Sequence, residues 1–515
     1  MLYFGVYLQM LGFNGYSSPR QCHSRISRES VFIKMKNIIV SVRNALVALF
    51  ALLAATVCGA AALPNIILIL ADDMGYGDCG VYHSESKIKT PHIDQLATEG
   101  LCFTDAHSAA STCTPSRYGL LTGTNPVRTG VLNTLLSRGD PIIAEDEKTI
   151  ASLLRDQGYV TRMIGKWHLG FETDQSGKKP VLDLSKPLVG GPLDRGFDSF
   201  YGIHSSPGAS PLCLTRDRTV VALPTEKGII QKHNADGSVT DVKVMMSPGY
   251  RPEDASPLFC QEALEIIREQ AASPDAKPLF LYYASPAPHQ PWAPSAAFKG
   301  KSGLGDYADF VMQLDDVVGQ INAVLKETGL DQNTLLIFTT DNGTGPKAVK
   351  VMATSGHASS ANLRGAKADS WEGGHRIPLI AKWPGRIAGN EQTNAVINFT
   401  DVFATFAELL EVDAATRYPD SAADSHSFLS VLFEPAESYQ RPGMMFNRGG
   451  VREGDWKLVS KSRVRKMENV KPSQFELFHL AEDISEENDV STANPERAER
   501  LFLAYTDYAE SRELK

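Results

Sequence analysis

The chain has 515 residues, 43% of them hydrophobic and 22% charged. That composition excludes a disordered, collagenous or multi-span membrane protein, and at roughly 150 residues per domain the length suits two or three domains or one large α/β unit with an appendage. The net charge of -9 argues against a nucleic-acid partner, because phosphate binding is driven by basic surface.

Residues 1–62 read as a leader, with Met35 as an alternative start. Lys34, Lys36 and Arg43 precede an apolar run from Ala45 to Val57, and small residues follow from Gly59 to Ala62. This is the layout of a secretory signal peptide, and the run is too short to span a bilayer comfortably. An uncleaved anchor is the competing reading. A lipoprotein at Cys58 is disfavoured by the bulky Val57 before it. The protein is therefore expected to be exported, periplasmic or secreted, with a mature chain from near Leu63. Cysteines stand at 22, 58, 79, 102, 113, 213 and 260. The odd number beyond the leader leaves one thiol with a separate fate. If that is Cys113, the other four allow three pairings. The alternative is that all are reduced and buried as small hydrophobes.

Asn65–Ala71 is apolar without alternation, so it reads as a strand buried on both faces, as in a parallel sheet. It runs into Asp72-Asp73. Thr149–Gln157 has Ile150, Leu153 and Leu154 at helical spacing. Val160–Ile164 predicts a second strand, leading into Gly165-Lys166-Trp167-His168. Segment 171–260 is rich in Pro and Gly without a period and reads as insertion loops over the sheet edge, where specificity would lie. Leu279–Ala284 predicts a strand leading to Pro288-His289. Phe310–Lys326 predicts a helix. Leu335–Thr340 predicts a strand leading into Asp341-Asn342-Gly343, and Ile377–Trp383 a further strand with no polar residues at its end. Val451–Val459 and Phe475–Leu480 read as paired strands and Glu496–Leu514 as a closing helix. No internal repeat or low-complexity tract occurs. Alternating strands and helices imply an α/β sheet with covering helices, and ligands of such sheets bind beyond the carboxyl ends of the strands. Four runs deliver polar residues to that edge. One alone would cap the next helix; four converging are harder to explain in that way.

Asp72, Asp73, Asp341 and Asn342 offer only oxygen ligands, which suit calcium or magnesium rather than zinc. Adjacent Asp72 and Asp73 can reach one ion only from an irregular turn, which Gly75-Tyr76-Gly77 supplies. The alternative is two solvated acids and a turn asparagine.

Cys113 lies in Ser111-Thr112-Cys113-Thr114-Pro115-Ser116-Arg117, before Tyr118-Gly119-Leu120-Leu121-Thr122-Gly123. A thiol beside a cation and a helix N-terminus is a low-pKa nucleophile. This stretch, with its Cys-x-Pro-x-Arg core, resembles the first signature of the type I, formylglycine-dependent sulfatases. Gly158-Tyr159-Val160-Thr161-Arg162-Met163-Ile164-Gly165-Lys166-Trp167-His168 resembles their second. The resemblance runs from about Pro64 to the C-terminus, and two long signatures in order are specific in a way that a short motif is not.

The resemblance implies an alkaline-phosphatase-like fold: a large mixed sheet sandwiched by helices, with a smaller C-terminal α+β domain holding a short antiparallel sheet. The expected division is a catalytic domain over 63–430 and a smaller domain over 431–515. It implies that a sulfatase-maturing, formylglycine-generating enzyme oxidises Cys113 to Cα-formylglycine. One hydroxyl of the hydrated aldehyde then attacks sulfur as the alcohol leaves, and the second expels sulfate from the covalent ester and restores the aldehyde, splitting one hard step into two easier ones. By the same resemblance Asp72, Asp73, Asp341 and Asn342, with residue 113, hold one calcium ion, magnesium being the alternative. Arg117 and Lys166 hold and polarise the formylglycine, and His168 is the base for elimination. His289 is a sulfate-site histidine and leaving-group acid, and Lys367 binds sulfate and faces the leaving oxygen. Relatives commonly show a Ser-Gly-Pro-like turn before Leu363-Arg364-Gly365; here it is Ser360-Ala361-Asn362, which weakens substrate inference around His357. Leu193–Gly202 and Phe298–Tyr307 resemble bacterial sulfatases acting on sulfated sugars, some at the 6-position of galactose or N-acetylgalactosamine. The implied substrate is a sulfated saccharide or aryl sulfate. Asn342-Gly343-Thr344 and Asn398-Phe399-Thr400 match glycosylation sequons, the first excluded if Asn342 is a metal ligand. Two rivals remain at this point. A phosphatase or phosphodiesterase of the same fold would use Ser or Thr with two zinc ions and would show Asp-His at 341–342. A non-catalytic glycan-binding protein would keep Cys113 as a thiol.

Overall fold

The run after Pro64 forms β1 (Asn65–Ala71), and all of its residues are buried. The computed structural model describes residues 63–510 apart from 134–138, 178–179, 274, 420, 436–437, 447–448 and 462–469. The expected leader, with Met35 and Cys58, lies outside the described residues. Five further strands follow β1 in the main sheet: β2 (Leu101–His107), β3 (Val160–Lys166), β4 (Ser199–Ile203), β5 (Thr215–Arg216) and β6 (Thr219–Val220). A separate hairpin, β7 (Glu226–His233) and β8 (Val239–Met246), comes next. Then β9 (Leu279–Ala284), β10 (Thr334–Thr340), β11 (Arg376–Lys382), β12 (Glu391–Thr393) and β13 (Ile397–Asn398) complete the main sheet. Its spatial order is β12-β2-β11-β10-β1-β9-β3-β4-β5-β6, and β13 also pairs with β2.

Direction decides what each strand delivers. β1 is parallel to β9 and β10, and β3 is parallel to β9 and β4. β11 is antiparallel to both β10 and β2. Hence β1, β2, β3, β4, β9 and β10 all end at one edge, while β11 ends at the other. That is why the run at Ile377–Trp383 leads to no polar cluster.

The longer helices among the described residues are α1 (Pro91–Thr98), α2 (Cys113–Thr122), α3 (Ile150–Asp156), α4 (Pro252–Ala272), α5 (Asp306–Thr328), α6 (Pro346–Thr354), α7 (Asp401–Leu409) and α8 (Pro495–Glu510). Successive side chains of a strand point to opposite faces, and β1 feeds a core on each. Ile66, Leu68 and Leu70 pack with Leu120 of α2, Leu153 of α3 and Phe403 of α7. Ile67, Ile69 and Ala71 pack with Leu96 of α1, Phe259 of α4, Leu314 of α5 and Met352 of α6. This is the helix-sandwiched mixed sheet expected from the resemblance.

A second sheet orders β14 (Met444–Phe446), β15 (Gly450–Glu453), β16 (Trp456–Ser460) and β17 (Phe475–His479), all antiparallel. Met445, Val451, Leu458 and Leu477 of this sheet share a cluster with Leu501 and Tyr505 of α8. Residues from Leu63 onward cluster into one compact unit. Among the described residues no helix is long and apolar enough to cross a membrane.

Segment 171–260 is more ordered than insertion loops. It carries β4 to β8 and the first turns of α4. β4 is short and contains Gly202, and α4 carries Pro257 inside it, so neither shows a clean period. Cys79, Cys102, Cys113, Cys213 and Cys260 are all free and buried, as in the reduced reading. Burial pushes the Cys102 thiol up to about 11 and those of Cys213 and Cys260 up to about 12, so these three are chemically quiet. Asn398 is buried and donates to Ser108 O at 3.3 Å, so its sequon is closed to a glycan in the folded protein.

Close backbone approach explains one glycine of the Gly-Lys-x-His stretch. Gly165 has φ +100, and a Cβ there would lie 1.9 Å from Ala284 O on the neighbouring strand. Gly165→Ala is therefore expected to cost about 2 kcal/mol or more, read as a lower denaturant midpoint. An unchanged midpoint would show that β3 and β9 separate without penalty.

Candidate active site

Ten residues singled out in the sequence gather at the shared strand edge. Asp72 and Asp73 follow β1, and Asp341 and Asn342 follow β10. The backbones interlock: Asp341 N donates to Ala71 O at 3.0 Å, and Asp73 N donates to Asp341 Oδ1 at 3.1 Å. Asp73 has φ 67, a left-handed conformation rare outside glycine. Lys166 is the last residue of β3, and its Nζ lies 2.7 Å from Asp72 Oδ2. His168, also left-handed at φ 59, lies two residues on, and its N–H donates to His204 O at 3.3 Å.

Cys113 opens α2, which follows β2 after a short turn, so it sits at the positive end of a helix dipole. Residues four apart share a helix face, so Cys113 and Arg117 project together. Pro115 lies in the first turn, where its missing N–H has no partner to lose. Gly123, at φ 68, ends the helix. Arg117 places Nε at 3.0 Å and Nη2 at 2.7 Å from Asp341 Oδ2, and Nη1 at 3.2 Å from Lys166 O. Thr114 Oγ1 donates to His168 O at 3.3 Å. The two sequence signatures therefore meet in space.

Lys367 arrives from a loop rather than a strand. Its N–H donates to Thr344 O at 2.9 Å, and that of Ala368 to Ser111 O at 2.7 Å. Its Nζ reaches Asp73 Oδ1 at 2.5 Å, and Asn342 Nδ2 donates to the same oxygen at 2.8 Å. His289 follows β9, with Nε2 3.7 Å from Asp73 Oδ2 and Nδ1 2.5 Å from Gln290 O.

The electrostatics follow from burial against pairing. Burial alone would raise the Asp72 carboxyl, but Lys166, His289 and Arg117 outweigh it and hold it below its ordinary value. Asp73 is lowered in the same way, with Lys367 as the main opposing charge. For Asp341, burial and the negative charge of Asp72 prevail, and its carboxyl is raised. Burial would lower the Lys367 ammonium, but Asp73 holds it above the usual lysine range. Burial prevails at His289 over the pull of Asp72 and Asp73, which favours the neutral ring.

Asp72 Oδ1 and Asn342 Oδ1 are buried and accept no hydrogen bond. Asp72, Asp73 and His289 bring ligand atoms within 4.8 Å of one another. Buried acceptors without donors, carboxylate and amide oxygens among them, fit a hard cation.

Sequence reading missed the layer behind these groups. Asp78 accepts from Gly75 N at 2.7 Å and from Tyr307 OH, and faces His357 Nε2 at 2.8 Å. His357 thus supports the turn after Asp73. Ser206, brought in by β4, places Oγ 3.5 Å from His289 Nδ1. Asp78 closes the same Gly-x-Gly turn that was read as irregular; Ser206 carried no signal within its Pro- and Gly-rich stretch.

The family model described as Sulfatase matches residues 64–412. The chain belongs to the sulfatase family. It is similar to an N-acetylgalactosamine-6-O-sulfatase of Bacteroides thetaiotaomicron, with 32% identity over 485 residues, 85% of this chain and 91% of that one. It is 37% identical over 380 residues to human arylsulfatase A, covering 73% of this chain and 69% of that one. A solved structure described under glycosaminoglycan metabolism by Bacteroides thetaiotaomicron superimposes with a TM-score of 0.75 at 28% identity, over 87% of this chain and 99% of that chain. This sulfatase is accordingly a sulfuric ester hydrolase with the alkaline-phosphatase-like fold. The phosphatase and the non-catalytic readings give way.

Arg117 is fully buried and forks onto Asp341. Arg117→Met leaves that carboxylate without its main partner and is expected to cost about 3–5 kcal/mol, seen in the denaturant midpoint. Arg117→Lys, which cannot span Asp341 and Lys166 O together, should recover little of it. Full recovery would mean that charge alone matters there.

Proposed function

We propose that this sulfatase hydrolyses sulfate esters of sulfated saccharides, at the 6-position of galactose or N-acetylgalactosamine, using a formylglycine formed from Cys113. The observation that carries the reading is the meeting of the two signatures, Cys113 to Arg117 and Gly165 to His168, around the carboxylates that end β1 and β10. The 6-sulfate assignment is supported by the similarity to the N-acetylgalactosamine-6-O-sulfatase of Bacteroides thetaiotaomicron.

Asp72, Asp73, Asp341 and Asn342, with residue 113, would hold one calcium ion, or magnesium. Such an ion neutralises sulfate charge and favours ionisation of a hydroxyl at residue 113. The aldehyde at residue 113 supplies, when hydrated, the nucleophilic hydroxyl. The remaining work falls to the chain's own groups. Arg117 and Lys166 orient residue 113 through the helix and strand that carry them. His168 accepts a proton as sulfate is released. Lys367 and His289 bind the sulfate and stand beside the leaving oxygen. Lys367 offers its ammonium to the departing alkoxide, and His289 stands as the leaving-group acid. The protein is exported, with residues 1–62 as leader, and a formylglycine-generating enzyme is its maturation partner.

The reading makes two checkable demands. Cys113→Ala should abolish turnover of a nitrophenyl sulfate while leaving the fold intact, and the tryptic peptide of active wild type should carry an aldehyde at residue 113 by mass. Full activity in Cys113→Ala, or an unmodified thiol in fully active protein, would sink the mechanism. Chelation should remove activity, with calcium or magnesium restoring it, and Asp72→Ala, Asp73→Ala and Asp341→Ala should each mimic the chelated enzyme. Two stoichiometric zinc ions in active protein would contradict the single hard cation.

A further inference from the structure

Lys367 has a long side chain whose ammonium must stay at one point relative to residue 113. Its loop, residues 363–371, has a turn of its own, with Asp369 N donating to Ala366 O at 2.9 Å and Ala366 N to Asp369 Oδ2 at 3.1 Å, but it also carries two left-handed residues. Gly365 has φ 83, and Ala368, without the freedom of glycine, has φ 73. Backbone held in this region persists only where the surroundings over-determine it. At the front, the loop is tied to the site by Lys367 N to Thr344 O and Ala368 N to Ser111 O.

The back is tied by the turn at Glu486 that follows the small sheet, and by Lys457 of that sheet. Glu372 N donates to Glu486 Oε2 at 2.7 Å, and Arg364 Nη1 donates to Glu486 O at 2.6 Å. The Arg364 guanidinium lies 3.6 Å from the ring centre of Trp371, closing the loop on itself. Lys457, on β16, places Nζ 2.9 Å from Glu372 Oε1 and 2.7 Å from Glu486 Oε1. All three side chains of this bridge are fully buried. Glu372 also meets Arg376 Nη1 at 3.1 Å. Glu372, His107 and His375 lie as close together as metal ligands. Donors already face them: Lys457 Nζ is 3.1 Å from His375 Nε2, and Arg452 Nη1 is 3.0 Å from His107 Nε2. Cations thus already occupy the positions that a metal would take, and the cluster is an ion-paired clamp.

We propose that Lys457 and Glu486 are positioning residues for Lys367: they fix the back of its loop and so set where its ammonium meets the sulfate and the leaving oxygen. This rests on the role given to Lys367 in the proposed function. A displacement of about 1 Å at a positioned group is worth roughly 10²-fold in rate. That is the scale of effect expected from residues that do not themselves touch substrate.

The test uses the full, matured enzyme and phenyl sulfates whose leaving phenols differ in acidity, with Lys457→Met, Glu486→Gln, Lys367→Ala and the two double variants. Lys457→Met should lower kcat/KM about 10²-fold and steepen its dependence on phenol acidity, as Lys367→Ala does. Added to Lys367→Ala, it should change kcat/KM by no more than about twofold, because residues acting through one group are not additive. Glu486→Gln keeps an acceptor for Glu372 N and should show a smaller loss of the same kind. If Lys457→Met does not fold, the Glu486→Gln cycle decides. A loss that persists undiminished in the Lys367→Ala background, or an equal loss for every phenol, would overturn the clamp and leave Lys457 and Glu486 as mere supports of the fold. An unchanged slope in Lys367→Ala would instead overturn the leaving-oxygen role of Lys367, while the cycle would still judge the clamp.

Discussion

A carboxylate taken from water into a protein interior costs several kcal/mol unless partners offset it. Asp72, Asp73 and Asp341 are all buried at one sheet edge, and each is met by a different cation. Lys166 faces Asp72, Lys367 faces Asp73, and Arg117 faces Asp341. These three cations come from a strand, a loop and a helix, so the pairing works only if all three elements are registered on β1 and β10. The glycine at 165 and the left-handed residues at 73 and 168 are consequences. They are where the chain bends to bring a charge to its partner, and the turn at Asp73 is closed by Asp73 N, Asn342 Nδ2 and Tyr307 OH.

The small sheet repeats this logic at a distance. Asp105 at the end of β2 is paired with Arg376 and Arg452, and Glu372 with Arg376 and Lys457. The four nearby charges Asp105, Arg376, Arg452 and Glu372 link β2, the start of β11 and β15. Breaking one partner of such a set is costly while the set itself adds little net stability. It ties β15 and β16 to the large sheet through Arg452 and Lys457, beside the loop bearing Lys367.

What the sequence disclosed, and what it hid, follows from how each element is buried. β1, β9 and β10 are covered on both faces and read as unbroken apolar runs, so their ends, and the groups at those ends, were legible. β2 carries Thr104, Asp105 and His107 because it feeds the buried ion network, and those polar residues masked it as a strand. β4 has five residues and a glycine forced by contact with Gly165 O, so it and the Ser206 that it delivers stayed hidden. Tyr307 and His357 each act by pairing with Asp78 across more than two hundred residues, a relation that no local spacing expresses. Glu486 is likewise an ordinary surface-type acid by sequence; only the fold buries it against Lys457.

The charge balance at the site bears on the proposed chemistry. Three carboxylates and three cations leave the protein's own contribution near neutral. Lys367 is the cation with some exposure, at 15% of its side chain, whereas Arg117 and Lys166 have none. It is therefore the one free to exchange a carboxylate partner for a substrate oxygen. A divalent cation alone would add two uncompensated positive charges, which a buried site resists. On the proposed reading a sulfate ester would bring one negative charge and an ionised formylglycine hydroxyl at residue 113 another, so that neutrality would return with metal, substrate and ionised nucleophile together. On the proposed reading, the same burial that makes the carboxylates costly favours the nucleophile in its anionic form at the moment when substrate is bound.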